Sequence, residues 1–274
     1  MSGILFAFLL TLLAGLATGL GGCVVFFTRP ENKKALSVCL SFAAGVMLYI
    51  SFAEILLKGF ENLEHAYGEG MGYMIASIAF FAGVGLMALI DRLVPHSEGI
   101  RQTEPSENNK PPGRREARRG DLKRTGVMSA LAIGIHNFPE GFITFMAAMY
   151  DPALGAAIAV AVAIHNIPEG IAMAAPLYYA TGSKAKAVFI SAASGLTEPL
   201  GGLIAWFALQ RIFDDVGAVF GITFAAVGGI MVFVAIHQLL PTACKYGTHA
   251  FVMKWLFAGM AVMAASLVVM GFVV

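Results

Sequence analysis

The stretch MGYMIASIAFFAGVGLMALI, residues 71–90, contains no charged side chain. A helix needs roughly 20 apolar residues to cross the hydrocarbon core of a bilayer, so this stretch has the length of a transmembrane helix. Comparable runs recur along the chain, which is 58% hydrophobic and 13% charged, with a mean hydropathy of +0.77. That composition excludes an ordinary soluble domain. Because the runs are continuous and do not alternate, they predict an all-α integral membrane protein rather than a membrane barrel.

Eight transmembrane helices are predicted, in a single polytopic membrane domain that covers residues 1–274. Charged residues, prolines and glycine clusters mark the ends of these spans. Residues 96–124, between the third and fourth spans, are rich in charge and proline and predict a solvated loop. The predicted spans lie near residues 3–27, 35–57, 71–94, 125–150, 153–179, 186–210, 217–240 and 250–273.

The distribution of lysine and arginine predicts the orientation, because these residues favour the cytoplasmic side of short membrane loops. With the N-terminus outside, eight spans place all of the 18 lysines and arginines on the inner side except Lys58 and Arg211. We therefore expect a multi-pass protein of the cytoplasmic membrane, with both termini outside and the long basic loop in the cytoplasm. The net charge of +1 gives no indication of a nucleic-acid partner.

Ionisable side chains inside a span are energetically costly and usually functional. Four of them belong to a repeated hexapeptide, HNFPEG at residues 136–141 and HNIPEG at residues 165–170. In each copy the histidine and the glutamate are four residues apart and share a helix face, where they can hold the same ion. The asparagine lies about 100° further around the helix and can serve a second, adjacent site. The residues predicted to be ionisable groups within the membrane are Glu54, His136, Glu140, His165, Glu169, Glu198 and His237.

The proline of each hexapeptide lacks a backbone N–H, so the carbonyl of Ile135 or Ile164, four residues earlier, loses its usual donor. A proline also follows Glu198 in the next span. Irregular helix at membrane depth is tolerated where it lines a hydrated cavity or a binding site. The prolines therefore predict locally opened helices around a polar site.

Three carboxylates are predicted to lie at one depth in the bilayer. Glu140 and Glu169 are 29 residues apart, Glu169 and Glu198 are another 29 apart, and each is near the middle of its span. Close carboxylates need protons or a cation, and the spans offer no lysine or arginine to neutralise them. Imidazole with carboxylate suits zinc, iron and manganese, whereas copper(I) prefers thiolates. We therefore predict a central metal site between the fourth, fifth and sixth spans; the alternative is that these groups only pair with one another.

These features together resemble the ZIP family of metal transporters, and the HNFPEG and HNIPEG pair is similar to a bacterial branch of that family. The resemblance covers nearly the whole chain. It implies import of zinc and related divalent ions toward the cytoplasm through a two-metal centre, with both central glutamates bridging. By position, the first metal would be bound by His136, Glu140, His165 and Glu169, and the second by Asn137, Glu140, Asn166, Glu169 and Glu198.

Three further residues are weaker candidates. Met47 is a possible soft ligand of the first metal, with core or lipid packing as the alternative. Glu54 is a candidate entrance or exit residue, or else a carboxylate that reaches the surface. His237 is a candidate transient ligand, although histidine at such a position is more often a satisfied polar residue of a helix.

The expected function is transport of divalent transition-metal ions, with zinc foremost and iron, manganese, cobalt and cadmium as further substrates. No catalytic residues are predicted. The alternative is an intramembrane metal-dependent hydrolase with a zinc-activated water, but that chemistry needs an open coordination position and a spare base, and HExxH is absent. The expected partners are the metal ions and the lipid bilayer, and a homodimer is considered.

Overall fold

The computed structural model describes residues 3–29, 32–93, 114–212 and 216–271. Within these ranges the chain is almost entirely helical and contains no strand. The predicted all-α class is confirmed.

Eight long helical segments follow one another along the described chain, and we number them spans 1 to 8. Spans 2 and 7 each contain a short π-helical segment, and span 6 consists of two helices separated by Leu196. Their bounds are Gly3–Gly22 with the 3-10 turn Cys23–Phe26 (span 1); Lys33–Ile50, the π segment Ser51–Ile55 and Leu56–Tyr67 (span 2); Glu69–Leu93 (span 3); Arg114–Tyr150 (span 4); Pro152–Thr181 (span 5); Lys184–Gly195 and Thr197–Ile212 (span 6); Val216–Val234, the π segment Ala235–Leu239 and Leu240–Cys244 (span 7); and His249–Gly271 (span 8).

Local sequence sets several of these helix ends. Gly68 and Gly182 have φ angles of 83° and 71°, a left-handed conformation that glycine adopts without strain, and they terminate spans 2 and 5. The side chains of Asn32 and Ser183 accept hydrogen bonds from the backbone N–H groups of Ala35 and Lys186. These two residues therefore cap the starts of spans 2 and 6.

Span 4 begins earlier than the sequence predicts. The loop predicted over residues 96–124 is helical from Arg114 onward, and its remaining part, residues 96–113, lies outside the described residues. Residues 114–124 are mostly arginine, lysine, glutamate, alanine and leucine, which are good helix formers. Their charge indicates that the segment is exposed to solvent, but it does not prevent a helix. Leu122 in this segment is buried against the core.

The helices have the character of membrane spans. Seven of them in the described chain are long and apolar enough to cross a bilayer. Span 4 does not qualify on composition, because the polar hexapeptide lies in the middle of its apolar part. Large apolar side chains cover the outer surface, among them Leu20, Phe81 and Phe189, each at least 66% exposed. A surface of this kind requires lipid, so the protein is a multi-pass membrane protein.

The spans pack as two four-helix bundles. Spans 1, 4, 5 and 6 contact one another extensively and form what we call the first bundle, and spans 2, 3, 7 and 8 form the second. The bundles meet mainly where span 2 packs on span 5 and span 4 packs on span 7. The largest cluster of buried apolar residues runs through this contact, from Met47 in span 2 to Met173 in span 5 and Met231 in span 7.

Candidate metal centre

The two hexapeptides face each other across the contact between spans 4 and 5. His136 Nε2 lies 3.4 Å from Glu140 Oε2 and 3.5 Å from Glu169 Oε1. His165 Nε2 is hydrogen-bonded to Glu140 Oε1, so Glu140 contacts both histidines. One potential ligand atom from each of His136, Glu140 and His165 lies within 4.8 Å of the others, so these three atoms can surround a single ion.

Asparagines and a third carboxylate lie beside this first group. Asn166 Nδ2 donates hydrogen bonds to Glu198 Oε1 at 2.5 Å and to the carbonyl of Ala14 at 2.9 Å. The Asn137 amide can be oriented so that both its oxygen and its nitrogen face suitable partners. In that orientation its nitrogen donates hydrogen bonds to Glu169 Oε2 at 3.3 Å and to the carbonyl of Ile133 at 3.0 Å. The structure thus joins Asn137 to Glu169 and Asn166 to Glu198. The resemblance assigned these four residues to one metal.

The break in span 6 positions Glu198. The helix Lys184–Gly195 ends, and Glu198 lies in the first turn of the helix that begins at Thr197. Glu198 is fully buried. The partial positive charge at the helix N-terminus stabilises its carboxylate there. Spans 4 and 5, by contrast, remain helical through Pro139 and Pro168.

The glycine that ends each hexapeptide allows close helix contact. A Cβ atom on Gly141 would overlap the backbone of Glu198, and one on Gly170 would overlap the carbonyl oxygen of Thr18. The first glycine therefore brings span 6 against span 4, and the second brings span 1 against span 5. Glu198 reaches the hexapeptides because no side chain separates the two backbones.

The buried polar atoms of this cluster are short of partners. Among the described residues, 14 buried side-chain nitrogen or oxygen atoms have no hydrogen-bond partner, and six of them belong here. An unsatisfied buried polar group is costly, and a concentration of them requires a compensating ligand. A metal ion bound among these residues would provide a partner for several of these atoms. The six atoms are His136 Nε2, Glu140 Oε2, His165 Nδ1, Asn166 Oδ1, Glu169 Oε1 and Glu198 Oε2.

A cavity of about 60 Å³ connects this cluster to the protein surface. One water molecule needs roughly 10–15 Å³ of cavity volume, so a partly hydrated ion fits inside. The cavity lies between the two bundles and ends at Lys58, whose side chain is 46% exposed. Its lining residues are Ile50, Glu54, Ile55, Lys58, His136, Glu140, Ile143, Thr144, Ile158, Val162, His165 and Phe224.

Known proteins with this sequence pattern are metal transporters. The family described as ZIP Zinc transporter matches residues 3–123 and 94–267. The chain belongs to the ZIP zinc transporter family. Zinc transporter ZupT of Clostridium perfringens is 48% identical in an alignment of 278 positions, which covers 97% of this chain and 96% of that protein. Zinc transporter ZupT of Chlorobaculum parvum is 50% identical over 267 residues, covering 96% and 97% of the two chains. The predicted resemblance is confirmed, and the alternative of an intramembrane hydrolase has no support.

Of the three weaker candidates in this ZIP protein, only Glu54 lines the cavity. Met47 is fully buried in the apolar core of the bundle contact, so its role as a soft ligand stays a prediction. His237 Nε2 lies 3.4 Å from Asp91 Oδ2, and its ring packs on Phe233 at a centroid distance of 4.7 Å. These contacts belong to a second polar cluster, so a ligand role for His237 also stays a prediction.

Sequence reasoning missed this second cluster, which is centred on Asp91. The Asp91 carboxylate is 5% exposed, and Arg124 Nη2 lies 2.7 Å from its Oδ1. Gln238 Nε2 donates a hydrogen bond to the same oxygen. A signal was present, because Asp91 is a carboxylate inside the predicted span 71–94. Asp91 lies near the end of that span, beside Arg92.

Proposed function

We propose that this protein carries divalent transition-metal ions, zinc foremost, across the cytoplasmic membrane into the cytoplasm. The observation that supports this most strongly is the cluster of two histidines and three glutamates with unsatisfied buried atoms, reached by a cavity. Among the described residues, the ion pairs of Glu140 and Glu169 are with histidine alone. A doubly charged ion would supply the positive charge that the protein does not.

We further propose a two-metal arrangement. His136, Glu140 and His165 converge on one point and suit a borderline metal, because they combine imidazole and carboxylate. Asn137, Asn166 and Glu198 offer oxygen ligands to a neighbouring ion. Glu169 contacts a member of each group, His136 and Asn137, and we propose that Glu140 and Glu169 bridge the ions. Iron, manganese, cobalt and cadmium accept the same ligand types and are proposed as further substrates.

The proposed direction is toward the cytoplasm. The cavity reaches the surface at Lys58, which the lysine and arginine distribution assigns to the outer side. An ion from outside would therefore reach the cluster without crossing the apolar core. This orientation, with both termini outside and the basic loop between spans 3 and 4 inside, is part of the proposal; the homodimer stays a prediction.

Uptake of radioactive zinc by proteoliposomes tests the proposal. The purified protein should give saturable uptake above that of protein-free vesicles, and Glu140→Ala should reduce it to that background. Glu61→Ala removes an exposed glutamate of span 2 and is the matched control, which should retain uptake. Wild-type uptake no faster than in protein-free vesicles would refute transport. Zinc-dependent release of fatty acid from the vesicle lipids would instead favour the hydrolase.

A further inference from the structure

The cavity contains an ion pair that the proposed metal centre does not use. Glu54 lies in the π-helical segment Ser51–Ile55, and Lys58 follows one turn later on the same face of span 2. Lys58 Nζ is 2.6 Å from Glu54 Oε1. Both side chains line the cavity whose inner end is formed by His136, Glu140 and His165. A π segment shifts the register of the helix face and is frequent at functional sites.

The Glu54 carboxylate is only half satisfied. Oε1 accepts the hydrogen bond from Lys58, whereas Oε2 is buried and has no hydrogen-bond partner among the described residues. Glu54 lies within electrostatic range of both cluster histidines, and Lys58 lies within range of Glu140. The pair is thus near enough to affect an ion that approaches the centre. Glu54 has one oxygen available to a second cation.

Lys58 is suited to leave this pair. Its ammonium is carried on a flexible four-carbon chain and is 46% exposed, so it can move into water, whereas the Glu54 side chain is 17% exposed. A tethered ammonium acts at a high effective concentration and competes well with monovalent ions in solution. A divalent ion attracts the carboxylate with twice the charge and can displace it.

We propose that Glu54 is an additional ligand for the incoming ion and that Lys58 is a built-in competitor for it, which excludes monovalent cations and which a divalent metal displaces. This inference rests on the proposed function and concerns the path to the same centre. Lys58 thereby sets the apparent affinity for zinc and its resistance to sodium and potassium. The carboxylate is occupied by a cation at every stage, first the ammonium and then the metal.

The test uses zinc uptake in proteoliposomes at varied zinc and potassium chloride concentrations. Without the competitor, Lys58→Met should lower the KM for zinc by about two- to fivefold, because the free energy of an exposed ion pair corresponds to a change in affinity of at most about fivefold. Uptake by this variant should also become sensitive to potassium at concentrations that leave the wild type unaffected. Lys58→Arg restores a cation and should return both properties to wild-type values. Lys254→Met, an exposed lysine of span 8, should change neither.

A double-mutant comparison distinguishes competition at Glu54 from general repulsion by a positive charge. Glu54→Gln should raise the KM for zinc, and adding Lys58→Met to it should then have no further effect. Zinc binding to the purified variants, measured at equilibrium in detergent, should follow the same order. An equal fall of KM in the Glu54→Gln background, or no effect of Lys58→Met on a wild-type protein that transports zinc, would overturn the proposal. Absence of uptake by the wild type would refute the proposed function instead.

Discussion

Glu140 and Glu169 each contact two other residues of the centre. One of its oxygens is hydrogen-bonded to His165 and the other lies 3.4 Å from His136. Glu169 approaches His136 through one oxygen and Asn137 through the other. A bridging carboxylate serves two ions at once, whereas a terminal ligand serves one. Substitutions at different residues of the centre should therefore differ in how much bound zinc and transport they remove.

Removal of a proposed bridge should abolish binding of both ions. We expect Glu140→Ala and Glu169→Ala each to lose nearly all bound zinc and nearly all transport, because each change removes a charged ligand from both sites. Zinc per chain, measured by elemental analysis of monodisperse protein, tests this together with uptake. Glu64→Ala in span 2, outside the centre, is the control and should bind as much zinc as the wild type.

Removal of a terminal ligand should leave one ion. His165→Ala should weaken the first site, and Glu198→Ala should weaken the second, so each should retain about half of the bound zinc and part of the transport. His165→Ala should also shift the preference toward metals that favour oxygen ligands, since a nitrogen ligand is lost. If His165→Ala lost both ions while Glu140→Ala kept one, the bridging assignment would be wrong.

At the residue level, the repeated hexapeptides could be recognised from the sequence, whereas the Asp91 cluster, which is built from three helices, could not. The two hexapeptides identify four ionisable residues through local spacing alone. The pairing of Asp91 with Arg124 and Gln238 joins spans 3, 4 and 7, and no local pattern records it. The Glu54–Lys58 pair, at i and i+4, was available from spacing, but whether it faces the cavity depends on the π segment.

At the level of the helices, one close constraint is the contact of span 4 with span 6 at Gly141. We expect Gly141→Ala to destabilise the protein by about 1–3 kcal/mol and to reduce transport strongly, because the added methyl group displaces the backbone that carries Glu198. Thermal unfolding in detergent and zinc uptake are the measurements.

Gly85→Ala in span 3 is the matched control. A Cβ at Gly85 meets no atom within 4 Å, and alanine is a better helix former than glycine by up to about 1 kcal/mol. That variant should be as stable as the wild type or slightly more so. Equal loss of stability in both variants would show that the close contact at Gly141 does not account for the effect.

Hydrophobic length predicted that the helices exist, but not where each one ends. Span 4 starts at Arg114, within a segment whose charge indicated a loop, because a charged sequence of good helix formers can continue a helix into solvent. Span 2 continues to Tyr67, ten residues beyond the predicted end at residue 57. The two π segments were not predicted, because the hydrophobic pattern does not mark a single turn of this kind.

At the level of the whole molecule, the Asp91–Arg124 pair links the two bundles. Asp91 belongs to span 3 in the second bundle and Arg124 to span 4 in the first, and their atoms are 2.7 Å apart in a buried setting. Arg124→Gln should destabilise the protein by about 3–5 kcal/mol, because it leaves a buried carboxylate without its cation.

The double variant Asp91→Asn with Arg124→Gln should regain part of that loss, since neither charge is then left alone. The control Lys245→Gln, which breaks the exposed pair with Asp121, should cost less than about 1 kcal/mol. Thermal unfolding in detergent of the wild type, Asp91→Asn, Arg124→Gln and the double variant measures the coupling. Additive losses in the double variant would contradict a direct pair.

The proposed orientation can be tested by cysteine labelling from each side of the membrane. In a background without Cys23, Cys39 and Cys244, a single cysteine replacing Glu61 should react with an impermeant reagent from outside. One replacing Lys186 should react only after permeabilisation, because spans 3 to 5 separate the two positions. Reaction of both cysteines from the same face would exclude the eight-span topology.

The division into two bundles gives each half of the molecule its own optical probe. The chain contains two tryptophans, Trp206 in span 6 and Trp255 in span 8, so one belongs to each bundle. Their indole rings lie beside different aromatic neighbours, Phe145 at 6.1 Å and Phe251 at 6.4 Å. Replacement of either tryptophan by phenylalanine leaves a protein whose tryptophan fluorescence comes from a single bundle. Light emission alone, without an attached dye, would then report which half of the molecule responds when zinc is added.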